Sequence, residues 1–236
     1  MTSPITTTDC DRRLALMQLS DSFFPSGSFT LSHGLESLVQ SGQVRSPDDV
    51  TTYLQILLHN KVGSSDVVAL LAAHHGSVVG NLKQVRRADQ MLFAYTLVQS
   101  AREAQQKSGQ ALLMVARSTW PDEQLESLQA DVLKQQIHGL HPIIFAVVGR
   151  AAGLDADDTV FAYLHSWLTG LAGVAIRLGA VGHIHAQRII TALAPDIHHV
   201  IQQTSDRSLD DLWSCTPAID LAQMKHRHLP QRLFSN

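Results

Sequence analysis

The spacing of the apolar residues constrains this chain most: it runs at three to four and seldom at two. Val50, Tyr53, Leu54, Leu57 and Leu58 fall at i, i+3, i+4, i+7 and i+8, one stripe of an amphipathic helix. Just before them Ser46 can cap, Pro47 suits the first turn, and Asp48 and Asp49 favour the positive end of the dipole. Val85, Ala88, Met91 or Leu92, Tyr95 and Val98 predict a long helix running to about Ala104. "GQALLMVARS" (109–118) predicts a short one ended by "WPDE", and Leu125, Leu128 and Val132 another. "HPIIFAVVGRAAG" (141–153) opens at Pro142 and closes near Gly153. Residues 155–178 predict a long helix capped by Asp155, with Phe161, Leu164, Leu168, Leu171 and Ala175 facing inward. Segments 185–195 and 196–205 complete the set. Alternating runs are few, and no Asn-Gly or Asp-Gly hairpin signal occurs. The predicted fold class is all-α, a single-domain bundle of about eight to ten helices over residues 1–236.

Two ends are set apart. Residues 1 to about 12 are expected to be a flexible segment. Residues from about 208 to 236 have poor periodicity and a basic end, and read as a flexible tail that orders on a partner. Thr169, Gly170, Ala172, Gly173, Ala175, Gly179, Ala180 and Gly182 would let their helix pack closely on neighbours.

Composition excludes several classes. Eighteen basic against 21 acidic side chains give a formal charge of −3, which argues against nucleic acid as the main partner. Cys10 and Cys215 belong to no CxxC, so neither a structural zinc site nor a disulfide framework is predicted, and a reduced, cytoplasmic setting fits. No basic start leads into an apolar run, and stretches such as "VVALLAA" (67–73) fall short of the ~20 residues that span a bilayer. No membrane association is expected.

The stretch "DSFFPSGSFTLSHGLESL" (21–38) has the composition of a working loop. It fails the GxSxG nucleophile elbow, and Gly27 and Gly34 lack the Lys of a phosphate loop. Its bland reading is a turn in which Ser28 or Thr30 caps a helix carrying Leu31, Leu35 and Leu38 into the core. Ten of the 13 histidines fall in close pairs: His74/His75, His138/His141, His183/His185, His198/His199 and His226/His228. None has the i, i+4 spacing of a helical zinc site, and i+1 or i+2 neighbours point apart on a helix. His183/His185 and His226/His228 could bind a divalent ion weakly in a non-helical segment. Asp48, Asp49, Asp122, Glu123, Asp155, Asp157 and Asp158 sit at helix starts, where the dipole accounts for them. Arg102 and Glu103 read as an exposed ion-pair surface. Arg177 follows a small-residue helix, and if buried there it needs a partner. The residues alone predict an interaction protein without an active site.

"LMQLSDSFFPSGSFTLSHGLESLVQSGQV" (16–44) resembles the N-terminal signature of the urease accessory protein UreF family, carried here by Pro25, Gly27, Phe29, Ser32, Gly34, Leu35 and Glu36. "SAREAQQKSGQALL" (100–113), "HPIIFAVVGRAAGL", "AYLHSWLTGLAGVAIRLGAVGHIHAQRII" and "PAIDLAQMKHRHLPQRLFSN" resemble, in order, further stretches of that family, so the likeness covers nearly the whole chain. It departs at 182–187, where "GHIHAQ" stands for a Gly-Gln…Gly-Gln run, and at Arg227, where an acidic residue is usual. The resemblance implies an all-helical homodimer that is not an enzyme. Such a protein bridges the accessory protein UreD (also called UreH) and the GTPase UreG, regulates that GTPase, and serves nickel delivery to apo-urease without binding nickel tightly itself. The alternative is a direct nickel chaperone using the histidine pairs. The resemblance also implies partner-binding roles. In the N-terminal segment these fall to Phe24, Pro25, Gly27, Phe29, Ser32, His33, Gly34 and Glu36, with Phe24 and Phe29 as apolar anchors. Beyond it they fall to Arg102, Glu103, Arg177, Gly182, Gln187 and Arg188, and in the tail to Asp220, Met224, His226, Arg232, Leu233 and Phe234. No residue is assigned a catalytic or metal role.

Overall fold

The structure is a computed structural model that describes residues 8–21, 23–27 and 31–235. Ser28, Phe29 and Thr30 lie outside the described residues. The described residues are helical and contain no strand, the all-α class predicted from the spacing.

The centre is built from the most uniformly apolar segments. Helix α3 (Pro47–Leu57) runs through a π-helical segment (Leu58–Val67) into α4 (Val68–Val78), a continuous rod of 32 residues. In α8 (His141–Ala151) every residue from Pro142 to Gly149 is buried. A helix apolar on all sides must sit inside other helices. Accordingly α4 and α8 pack on each other and are enclosed by α5 (Leu82–Tyr95), α6 (Gln99–Thr119) and α9 (Ala156–Arg177). The rod and α9 are long and apolar enough to cross a membrane, beyond what single apolar runs suggested. Burial in this core accounts for that, with 83% and 56% of their apolar windows enclosed. Helix α1 (Asp9–Ser20) lies on α9, α7 (Glu123–Leu133) closes α6, and α10 (His183–Ala192) packs on α9 and α3. Helix α11 (Ala194–Thr204) covers the π segment, and α12 (Pro217–His226) lies against α2 (Leu35–Gln40).

The predicted caps are present. Ser46 accepts from the Asp49 amide while Asp49 reaches back, with Pro47 in the first turn. Asp155 caps α9. Asp122 caps α7 and also takes a two-pronged ion pair from Arg150 at 2.7 and 2.6 Å, which ties α7 to the end of α8.

Five expectations are corrected. The helix expected to run to Ala104 breaks at 96–98. There the Thr96 hydroxyl returns to Leu92 O, and the Arg102 guanidinium donates to Thr96 O and covers the Phe93 ring at 4.7 Å. Residues 109–118 are therefore the second half of the 21-residue α6. Gly109 lies mid-helix because a Cβ there would meet Gly139 O at 2.0 Å. Phe161 is 42% exposed, whereas Leu164, Leu168, Leu171 and Ala175 are buried. Gly170, Gly173, Gly179 and Gly182 have nothing within 4 Å of an added Cβ, so among the described residues their small size serves no close packing. In the stretch expected to lack periodicity, a 3-10 turn (Leu209–Asp211) precedes α12, whose Ile219, Ala222, Gln223 and His226 are buried on α2.

Candidate docking site

The site begins at Gly34. Its φ is +86°, which a glycine tolerates, and it rather than Ser28 or Thr30 stands at the N-cap of α2. A Cβ there would lie 3.1 Å from Ile219 O and from the Gln223 side chain, so Gly34 also admits α12. Leu31, Leu35 and Leu38 are core residues, as the bland reading had it.

Two residues on, Glu36 is fully buried. Its Oε2 lies 2.6 Å from His226 Nε2, and its Oε1 accepts the Leu233 backbone N–H at 2.7 Å. His226 is itself 3% exposed. A carboxylate of the N-terminal motif thus holds the last segment of the chain at two points. Gln40 Nε2 adds a bond to Gln231 O at 3.0 Å. Beyond them Phe234 turns in, 7% exposed, and the Arg177 guanidinium lies 4.4 Å from its ring centre. Arg177 is therefore an exposed residue with a cation–π partner, not a buried charge.

The loop before α2 borders the same region. Phe24 is half-buried and stacks on Trp120, ring centres 6.0 Å apart at 8°. The ring that faces solvent is that of Phe23, 91% exposed, a residue the sequence reading passed over. Gly27 has φ +73° and Pro25 is exposed. Ser32 is buried, and His33 takes a left-handed φ of +49° while its carbonyl accepts the Tyr53 hydroxyl at 2.8 Å. A groove of about 290 Å³ runs between Ser26, Gly27, Glu103, Lys107 and Ser235, joining loop, α6 and tail. Glu103 lines it, whereas Arg102 is spent on Thr96 and Phe93.

The tail presents Met224 (46% exposed), Leu221 (55%) and Leu233 (69%) outward, with Arg232 exposed beside them. Asp220 accepts from the Thr216 hydroxyl at 3.2 Å. Gly182, at the N-cap of α10, and Gln187 and Arg188, midway along it, stand exposed on a second face. His183 and His185 are exposed within the first turn of α10, a helix rather than the open segment expected. His226 is committed to Glu36 and His228 faces Arg227. Among the described residues no three His, Cys, Asp or Glu side chains are grouped to hold a metal ion.

A family model described as UreF matches residues 44–194. The urease accessory protein UreF of Trichodesmium erythraeum is 53% identical over 228 residues, covering 97% of this chain and 98% of that protein. That of Paenarthrobacter aurescens is 31% identical over 222 residues, 94% and 97% of the two chains, and that of Bacillus sp. strain TB-90 is 26% identical over 224 residues, 95% and 99%. The first of these alignments leaves eight residues of this chain outside it, so it takes in much of both the loop and the tail.

Proposed function

Because the chain belongs to the UreF family of urease accessory proteins, we propose that it is a non-enzymatic scaffold that forms a homodimer and bridges UreD and the GTPase UreG during nickel insertion into apo-urease. The observation that supports this reading is the junction at Glu36, which makes the N-terminal motif and the C-terminal tail one continuous surface. The exposed Phe23 of the loop and Leu233 of the tail are the apolar anchors for UreD, with Arg232 as the charged one. The second face, with Gly182, Gln187 and Arg188, faces the GTPase and modulates it. Nickel is cargo of the assembly, and this chain holds none tightly.

Co-expression with UreD and UreG from one source, followed by light scattering on a sizing column, tests the reading. A stoichiometric assembly around a dimer of this chain is expected. A lone monomer that ignores both proteins would refute it. Equilibrium dialysis with nickel is expected to return no tight site on the isolated chain.

A further inference from the structure

A cleft of about 430 Å³ opens between the end of α4, the start of α5 and the 3-10 turn, and it shares no lining residue with the docking groove. Its charge is one-sided. Lys83, Arg87 and Arg207 line it, and among the described residues Asp210 is the one acid of that wall. The chain as a whole carries a formal charge of −3, so the cleft is a local reversal of sign.

Local structure gathers these cations. Arg87 Nη2 lies 2.9 Å from Asp210 Oδ1, a bridge from α5 to the 3-10 turn. Lys83 stands four residues before Arg87, on the same face of α5. Like charges at that spacing repel, and Asp210 pairs with Arg87 alone. Asn81 caps α5 and also lines the cleft, so the positive end of that helix adds to the field. Arg207 belongs to the other wall, half-buried just ahead of the 3-10 turn. The next acid, Asp211, is committed elsewhere. It accepts the Ser208 N–H and hydroxyl at 2.8 and 2.9 Å, and these bonds, with the Arg207 charge nearby, hold its carboxyl below the usual carboxylate range. Among the described residues Lys83 and Arg207 form no ion pair.

The balance of charge selects a ligand. Three cations against one carboxylate leave about two positive charges in the wall. A carboxylate monoanion would offset one of them. A phosphate group carries about −1.5 to −2 near pH 7 and matches both. Guanidinium forks meet its oxygens in pairs, and a lysine meets it as a point charge. The volume falls within the roughly 300–1,000 Å³ of small-molecule sites, which leaves room for a small ester group. We propose that this cleft binds a phosphate group, free or on a small phosphomonoester, through Lys83, Arg87 and Arg207.

The test is isothermal titration calorimetry on the full chain at fixed ionic strength, with inorganic phosphate, glycerol 2-phosphate and acetate as probes. Saturable binding of a phosphate probe is expected, with acetate weaker by about tenfold or more. Inorganic phosphate binding at least as tightly as the ester makes free phosphate the ligand, and tighter binding of the ester makes it a phosphomonoester. Either result supports the proposal. Lys83→Gln and Arg207→Gln should each weaken binding about tenfold, while Lys134→Gln, outside the cleft, should leave it unchanged. Lys83 is exposed and Arg207 half-buried, so both variants should fold, which circular dichroism checks. No saturable binding of either phosphate probe, acetate bound as tightly as phosphate, or an affinity that either cleft substitution leaves unchanged overturns the proposal. A polyglutamate peptide that binds where neither phosphate probe does would make the cleft a protein-docking patch and would overturn it too.

Discussion

Glu36→Ala probes the junction most directly. The substitution leaves the buried His226 ring and the Leu233 N–H without their acceptor. Breaking a buried pair from one side costs about 3–5 kcal/mol, and each orphaned group about 1–3. The tail has a cheaper response than unfolding: α12 and residues 227–235 lift off α2 and let those groups reach water. The cost therefore appears as local opening, with the helical core intact. At 1.36 kcal/mol per decade, a loss of about 3 kcal/mol lowers protection roughly a hundredfold or more. Hydrogen exchange read by mass spectrometry over 217–235 is the assay. Protection there should fall by about two orders of magnitude, while α4 and α8 keep theirs. Glu36→Gln, which retains an acceptor for Leu233, should lose less. A double-mutant cycle with His226→Ala should give a coupling of about 1 kcal/mol or more. Unchanged protection in Glu36→Ala, or a cycle additive to within about 0.5 kcal/mol, would show that the carboxylate does not hold the tail.

Three further outcomes follow from the same geometry. His33 and His141 titrate near 4 when folded and near 6.5 when unfolded, so the unfolded chain binds more protons between those values and stability falls as pH drops through that window. The loss, up to about 3 kcal/mol per imidazole and opposed at the acid end by the raised Asp66 and Asp89 carboxyls, should appear as a falling urea midpoint that is blunted in His141→Gln. Gly109→Ala should destabilise by about 3 kcal/mol, since its methyl meets a backbone carbonyl that cannot move aside, whereas Gly173→Ala should stabilise the isolated chain by about 0.5–1 kcal/mol; thermal melts compare the two. Arg177→Ala should loosen residues 230–235 by about 0.5–1 kcal/mol through loss of the Phe234 contact, read as faster proteolysis of the tail with Arg177→Lys in between.

What the sequence disclosed was local. Ser46, Asp122 and Asp155 announce their helices because a cap acts on amides two or three residues away. What it hid was set by distant partners. Val98 fits the stripe of the helix before it, and only Arg102 folding back on Thr96 and Phe93 marks the break. Phe23 and Phe24 are neighbours of one type, and Trp120, almost a hundred residues on, decides which turns in. Glu36 and His226 were each singled out, but nothing local joins residues 190 positions apart. Asp66 drew no notice because an α-helical wheel does not reveal the π segment that carries it into the core.

The separation of Glu36 from Leu233 also sets a timetable. The two are 197 residues apart, and at about 5–20 residues per second a ribosome makes the second some 10–40 seconds after the first. Until then α2 carries a carboxylate with no tail to receive, and the surface around it is incomplete. A chain that stops short of Leu233 lacks this junction. Passage of synthesis beyond Leu233 is thereby written into the surface itself, and an assembly that docks on the junction admits only chains that carry that segment.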